Sequence, residues 1–584
     1  MGVRHVFMLS GGGIMHLTDG LACAKGLAPI CLHHEQAVSM AVEAYARLTG
    51  RFGAGYFTTG PGATNAITGL AGAWLDSVPC LFVSGQVKRA ETVHLSGIPG
   101  MRQIGVQEIN ILPIVRSITK YSAFVGRPAD IRYHLEKAVF MARSGRPGPA
   151  WLDIPLDVQG AQVDPDRLRG FTPPPPPPPI PAAAIRGVAR DLRAASRPLI
   201  LAGQGVRISG AVESLLSFAE RFRVPVATTY LGVDLIASGH PRYVGRIGIK
   251  GDRAGNLAVQ NADLLIVVGT SLPVAEVGYD GTQFARGAKV VVVDIDETPH
   301  RKKIIAIDRF ILGDAKEFLD RAAAALRGAR LPIDPGWTRA CRAWRGRYPV
   351  CLPEYASGRG PVNIYHFVER LSRRLTPRDI VVSDAGSAFY AVSQCVKLPQ
   401  GARYITSGGF ATMGYSVPAG IGACIAAGGG RVICITGDGS FQQNIQELQS
   451  IAHHSLPIKI FVLNNEGYLS IRFTQERYFE GRLIGEGPSS GVSFPDCRKI
   501  ANAYGLRFVR VRATPGLDAG LDAALSCDGP VLCEIMSPPG QLIIPTVASR
   551  KLPDGRMVSR PLEDMYPFLD RARFRGEMFI PPVE

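Results

Sequence analysis

The stretch that decides the reading runs from Arg431 to Tyr468: RVICITGDGSFQQNIQELQSIAHHSLPIKIFVLNNEGY. Two apolar runs, VICI (432–435) and IKIFVL (458–463), flank a segment that reads as a helix over 441–453. A strand, a crossover helix and a second strand form the unit from which parallel sheets are built. Both runs end on residues foreign to a core, the first on Gly-Asp-Gly-Ser (437–440), the second on Asn464 and Asn465. Such a crossover returns the second strand beside the first, so both ends open on one sheet edge, where α/β proteins bind ligands.

Amides and the positive dipole end of a following helix suit a phosphate. A carboxylate there repels one unless a divalent cation lies between them. Mg²⁺ takes oxygen ligands in an octahedron, combining one or two protein groups with phosphate oxygens and water. Asp438 can supply one oxygen and the amide of Asn465 another. Alone, Gly-Asp-Gly reads as a tight turn and the asparagines as turn filler; the return strand and the spacing together point to a cation clamp.

The chain of 584 residues is too long for one core and calls for about three or four domains. With 46% apolar and 20% charged residues it reads as globular. No long uninterrupted apolar run and no secretory leader is evident, so the expectation is a cytoplasmic protein with no membrane partner. Eleven cysteines are scattered singly without CxxC pairs, which indicates neither a zinc site nor a disulfide framework. The net charge of +16 is spread along the chain rather than blocked, so small anions, not nucleic acid, are the expected beneficiaries.

Working outward, seven consecutive prolines in FTPPPPPPPIP (171–181) exclude helix and ladder and read as a tether. Before it, HVFML, PCLFVSG and PAWLDIP alternate with helical EQAVSMAVEAYARL; after it, PLILAGQGV, VPVATTY, DLLIVVGTS and KVVVVDID alternate with AVESLLSFAERF. The expected organisation is a first domain over 1–170, a Pro-rich linker over 171–184, a central domain over 185–330 and a connector over 331–360. A third domain over 361–537 and a loop-rich tail over 538–584 follow. The fold class is α/β, with three consecutive doubly wound parallel-sheet domains.

The GDGS…N pattern, with ITSGGFATMGYSVPAGIGA (405–423), LHHEQAVSMAVEAYARLTG (32–50) and TTGPGATNAITGLAGAWLDSVP (58–79), resembles the thiamine-diphosphate (ThDP) enzymes, and within them the acetolactate synthase branch. The resemblance implies pyrimidine-binding, central and diphosphate-binding domains in that order. It implies that Asp438, Asn465 and the carbonyl of Gly467 ligate Mg²⁺, and that Gly437, Gly439 and Ser440 lie at the diphosphate. Ser387 and Ala411 join the cofactor contacts, and Met413 supports the bent cofactor. Glu35 is placed against the pyrimidine ring, where a carboxyl group drives the tautomerisation that activates the cofactor; Pro61 and Asn65 stand nearby. Gln107, in GVQEINILPIVRSITKY (105–121), matches a substrate-orienting glutamine. The resemblance further implies a homodimer or homotetramer in which Glu35 and Asp438 meet across subunits.

By the same resemblance the reaction is carboligation: a 2-oxo acid, pyruvate by preference, loses carbon dioxide and its two-carbon unit passes to an acceptor carbonyl. The alternatives are a simple decarboxylase and a non-catalytic paralogue. Three departures qualify the match. The chain lacks residues usually found before HVFML, which implies a misplaced start or a shortened first helix. After Asn465 it reads EGYLSIRFTQERYFEGRLIG, which puts Ser470, Arg472 and Thr474 either in a polar substrate channel or on a solvent-facing helix. In the central domain, Gly203, Gly205, Gly251 and Asp294 either line an FAD site or serve as turns of a vestigial nucleotide domain. The tail ASRKLPDGRMVSRPLEDMYPFL (548–569) resembles members tied to surface-sugar pathways, where the acceptor is a keto-sugar nucleotide. A nicotinamide dehydrogenase is the poorer reading, because no GxGxxG follows a strand with an acid at the required distance.

Overall fold

A computed structural model describes residues 2–551, 554 and 556–583. The chain divides into two compact units, one of residues 1–176, 378–389 and 405–540, the other of 177–377, 390–404 and 541–584.

In the first unit, β1 (His5–Met8), β2 (Ala28–Cys31), β3 (Gly53–Phe57), β4 (Cys80–Gln86), β5 (Tyr121–Phe124) and β6 (Ala150–Pro155) form a sheet in the order β2-β1-β3-β4-β6-β5. All its pairings are parallel. The inner strands β4 and β6 are buried throughout and therefore read as continuous apolar runs, while the edge strands β2 and β5 are only partly covered. β3, with sequence GAGYF, carries no strand signal because its glycines serve close packing. A Cβ on Gly53 would stand 2.3 Å from the carbonyl oxygen of Val42 in the overlying helix.

The central sheet belongs to the second unit: β7 (Pro198–Ala202), β8 (Val226–Thr228), β9 (Tyr243–Arg246), β10 (Leu264–Val268), β11 (Lys289–Asp294) and β12 (Arg309–Leu312), in the order β12-β11-β10-β7-β8-β9. This is the winding of dinucleotide-binding sheets, with its switch point between β7 and β10. The third sheet, of β13 (Ile380–Ser383), β14 (Arg403–Ile405), β15 (Val432–Gly437), β16 (Ile458–Asn464), β17 (Arg507–Val511) and β18 (Val531–Met536), runs β14-β13-β15-β16-β18-β17. It repeats the connectivity of the first, so its switch point lies between β13 and β15. Three parallel six-stranded sheets in α/β domains are thus present, as the alternation predicts.

Within the first unit, helix α1 (Glu35–Thr49) packs on helix α2 (Ser416–Ala426), and one apolar core runs through both sheets' facing sides. The approach is closest where a Cβ on Gly422 would meet the Ala41 carbonyl oxygen at 2.1 Å. Beside it, buried Arg47 pairs with Glu43 and Asp76, and Asp76 also accepts from the amides of Gly408 (2.9 Å) and Gly409 (2.7 Å).

Several local expectations change. The helix expected over 441–453 is instead a short helix α3 (Asp438–Phe441), a 3-10 turn (Gln442–Asn444) and a helix over Glu447–His453. The break coincides with Asn444, whose amide donates to the Gly414 carbonyl at 2.7 Å. The prolines 173–179 are exposed and outside any ladder, and the next helix begins at Ala182. The segment 331–360 holds a helix, Pro335–Arg347, capped by Asp334 and anchored by buried Trp337 and Trp344. The Asp-Pro pair is its start signal. The tail carries two short two-stranded ladders and a helix over Arg571–Gly576. Of the 548–569 stretch, Leu552, Pro553 and Gly555 lie outside the described residues. No helix among the described residues is long and apolar enough to cross a membrane.

Candidate active site

Both candidate clusters sit at carboxyl ends of strands in the first unit. In the first, Glu35 opens α1 and is buried, and it accepts a hydrogen bond from Asn65 Nδ2 at 3.1 Å. The turn before the helix Pro61–Asn65 leans on the Gln107 backbone: a Cβ on Gly60, which has φ +64°, would lie 2.1 Å from the Gln107 carbonyl oxygen. Gln107 itself adopts φ +62°, and its side chain is exposed, as are Pro61 and Asn65. A non-glycine residue in this region is held there by its surroundings. Glu35, Pro61, Asn65 and Gln107 thus fall together, and Glu35 faces Gly62, whose Cβ would stand 3.2 Å from its carboxylate.

In the second cluster, β15 and β16 run in register, Gly437 beside Leu463, so that both ends reach the same edge. Asp438 is buried. Its Oδ1 accepts from the Gly439 amide at 2.8 Å, and its Oδ2 accepts from the amides of Asn465 and Gly467, each at 3.1 Å. Burial pushes its carboxyl up to about 6, against the pull of those amides. Asn465 is 1% exposed, and its Oδ1 has no hydrogen-bond partner among the described residues. An orphaned buried acceptor normally costs about 1–3 kcal/mol, and a bound cation removes that cost. Asn464 differs: its amide donates to Glu534 at 2.7 Å and its oxygen accepts from the Glu466 amide, so it shapes the strand end.

Gly439 must be glycine because a Cβ would enter the Tyr468 ring at 2.1 Å; Tyr468 escapes a motif search because only packing reveals it. Gly437 extends the strand before α3, with open space where a Cβ would be, and Ser440 is buried in α3. Ala411 lies in a left-handed turn (φ +52°), its amide donating to Ser407 at 2.8 Å. Two residues on, Met413 Sδ accepts from Gln443 at 3.8 Å, which sets it beside the segment after Asp438. Ser387 is buried in the helix that follows β13, the other side of the switch point. Next to it Asp384, overlooked in the sequence, is fully buried and accepts from Thr436 Oγ1 (2.8 Å) and the amides of Tyr415 (3.3 Å) and Ser416 (3.2 Å). It joins β13, α2 and β15.

Among the described residues no hydrogen bond joins Glu35 or Asn65 to Asp438. The His33 amide, which donates to Glu447 at 3.1 Å, adds to the Asp76 bonds to Gly408 and Gly409 that join the two halves. Arg472 is not a free group in a channel. It binds Glu486 at 2.5 Å and the carbonyls of Asn465 (3.3 Å), Glu466 (2.9 Å) and Pro539 (2.7 Å), which locks the 465–467 turn. Ser470 and Thr474 are exposed on the helix Leu469–Tyr478.

No cluster of three His, Cys, Asp or Glu side chains suited to a metal occurs among the described residues. The clamp is of another kind: one carboxylate, one unpartnered amide oxygen and a backbone carbonyl, a hard oxygen set that fits Mg²⁺. Three family models match the chain: the N-terminal TPP binding domain of thiamine pyrophosphate enzymes over 1–114, their central domain over 185–322 and their C-terminal TPP binding domain over 384–535. The chain belongs to the thiamine pyrophosphate enzyme family. It is acetolactate synthase-like. The acetolactate synthase large subunit of Cyanidium caldarium is 31% identical over 562 residues, 94% of this chain and 93% of that one. That of Parasynechococcus marenigrum is 34% identical over 573 residues, 96% and 89%. The isozyme 2 large subunit of Escherichia coli is 32% identical over 535 residues, 91% and 93%.

In this acetolactate synthase-like enzyme the central glycines have packing reasons of their own. At the β7/β10 switch point, a Cβ on Gly203 would lie 2.3 Å from the Gly269 carbonyl oxygen and one on Gly205 would lie 2.6 Å from the Gly269 Cα. A Cβ on Gly251 would meet the Arg246 carbonyl oxygen at 2.5 Å. Asp294 accepts from the Asp296 amide at 3.0 Å and lies 3.3 Å from His300.

Proposed function

We propose that this enzyme decarboxylates a 2-oxo acid, pyruvate by preference, and transfers the two-carbon unit to an acceptor carbonyl. The observation that carries the reading is the unpartnered, buried Asn465 Oδ1 beside the Asp438 carboxylate, an oxygen pair that a cation would satisfy. Asp438, Asn465 and the Gly467 carbonyl hold Mg²⁺; Gly437, Gly439 and Ser440 seat the diphosphate; Ser387, Ala411 and Met413 line the cofactor's path. When bound, ThDP supplies a carbon nucleophile and the electron sink that lets carbon dioxide depart. Glu35 holds and exchanges the proton at the pyrimidine, Asn65 orients its carboxylate, and Gln107 reaches the substrate from its constrained backbone.

Glu35 and Asp438 of different subunits form one site, so the working unit is a homodimer or homotetramer in the cytoplasm. A keto-sugar nucleotide is the proposed acceptor, as in the sugar-pathway subgroup. Incubation with pyruvate and candidate acceptors tests the reading. An acetyl-branched product supports ligation; free aldehyde alone assigns a simple decarboxylase; no consumption of pyruvate with ThDP bound removes both. FAD in the central domain is read from the absorbance of the purified protein, and a colourless protein ends that proposal.

A further inference from the structure

The second unit carries an open cavity of about 940 Å³ away from the β7/β10 switch point, walled by β9, the end of the helix Pro335–Arg347, the segment after it and residues 394–399. Its lining carries six basic side chains, Arg246, Arg342, Arg345, Arg370, Arg373 and Lys397, against two acids, Asp252 and Glu369. Asp252 attracts Arg246 and Arg345, so the two acids offset the six cations in part and leave the wall net positive. Asp252 gives its oxygens to the amides of Gly255 (2.7 Å) and Arg246 (2.8 Å), capping the helix Arg253–Asn261. Glu369 is engaged with Lys397 at 2.6 Å and Arg373 at 3.4 Å.

Arg246 is 5% exposed and binds only carbonyl oxygens, of Gln394 (2.7 Å) and Val396, while its Nε has no hydrogen-bond partner among the described residues. Arg345 likewise binds carbonyls, of Tyr243 (2.9 Å), His240 (3.3 Å) and Ser238. Arg342 makes no hydrogen bond or ion pair with the described residues. Like charges gathered in a concave wall repel one another, and an anion removes the repulsion.

We propose that this cavity binds a phosphorylated small molecule of nucleoside-diphosphate class, separate from the ThDP site. Guanidinium forks match phosphate oxygens in pairs, and the volume is that of a small-molecule site rather than of a lone ion. Tyr243 and Tyr348 border the same wall, their rings already covered by Arg345 and Arg573, so the phosphates rather than the organic part dominate the recognition. Cys351 also lines the cavity and serves as a reporter.

The test is calorimetry on the ThDP- and Mg²⁺-loaded enzyme with ADP, pyrophosphate and adenosine. The expected result is one ADP per chain, weaker binding of pyrophosphate and none of adenosine. ADP should bind at least about tenfold more weakly to an Arg342→Gln/Arg370→Gln double variant that still loads ThDP. In wild-type enzyme ADP should slow alkylation of Cys351, read by peptide mass analysis, which needs no variant to fold. Absence of ADP binding, equal binding to the double variant, adenosine binding alone, or displacement of ThDP by ADP would each overturn the proposal.

Discussion

Asp438 shows how one residue couples position to pH. Its carboxyl sits at about 6 in the folded chain, raised by burial from an ordinary 3.8. Between those values the folded, cation-free protein holds a proton that the unfolded chain has released, so its stability falls as pH rises across the window. Mg²⁺ requires the carboxylate, so its grip strengthens over the same range. The thermal shift produced by ThDP and Mg²⁺ should therefore be larger near pH 7.5 than near pH 5, and a shift independent of pH would contradict the assignment. Asn465→Ala should shrink that shift at both pH values, since it removes a ligand without touching the proton. Glu35→Gln should lower turnover by about 10²–10⁴-fold with ThDP still bound, the range that a positioned proton-transfer group supplies. Full turnover in that variant would remove Glu35 from the site.

At the scale of elements, the approach of α1 to α2 decides how the first unit holds together. Gly422→Ala should gain about 1 kcal/mol of helix propensity, yet the new methyl would sit 2.1 Å from the Ala41 backbone carbonyl, which cannot rotate aside. Overpacking costs about 1–3 kcal/mol, so the clash wins and the melting temperature should fall; a raised melting temperature would show that the helices do not meet there. Arg47→Met tests the pairing beside it. It removes the cation between the buried carboxylates of Glu43 and Asp76, a loss of about 3–5 kcal/mol in denaturant unfolding; an unchanged midpoint would contradict the pairing. The strands with plain apolar runs, such as β4, β6 and β10, were legible in sequence because burial on both faces demands such runs. β3 and the helix Pro335–Arg347 were not: one spends its positions on glycine for a neighbouring helix, and the other hides in an arginine-rich stretch where only Trp337, Cys341 and Trp344 are buried.

At the scale of the whole molecule, the proposed shared site makes a prediction that single-chain chemistry does not. Glu35→Gln and Asp438→Asn, each inactive alone, should recover up to about a quarter of wild-type activity when co-expressed or exchanged, because mixed dimers contain one intact site. No recovery in confirmed mixed dimers would place both residues of each site in one chain.

The sequence by itself determined the parallel α/β architecture and named the residues of the proposed clamp, since a crossover of fixed length and two polar strand ends are local facts. Tertiary structure alone supplied the physical reason for choosing Asn465, left with an unpartnered oxygen, over Asn464, spent on Glu534. It also took Arg472 out of the substrate channel by surrounding it with Glu486 and three carbonyls. The cationic cavity belongs to the same class, because residues from 238 to 399 line it together. Chemistry set by neighbours along the chain can be read in order. Whether a polar atom finds a partner depends on groups brought near only by folding.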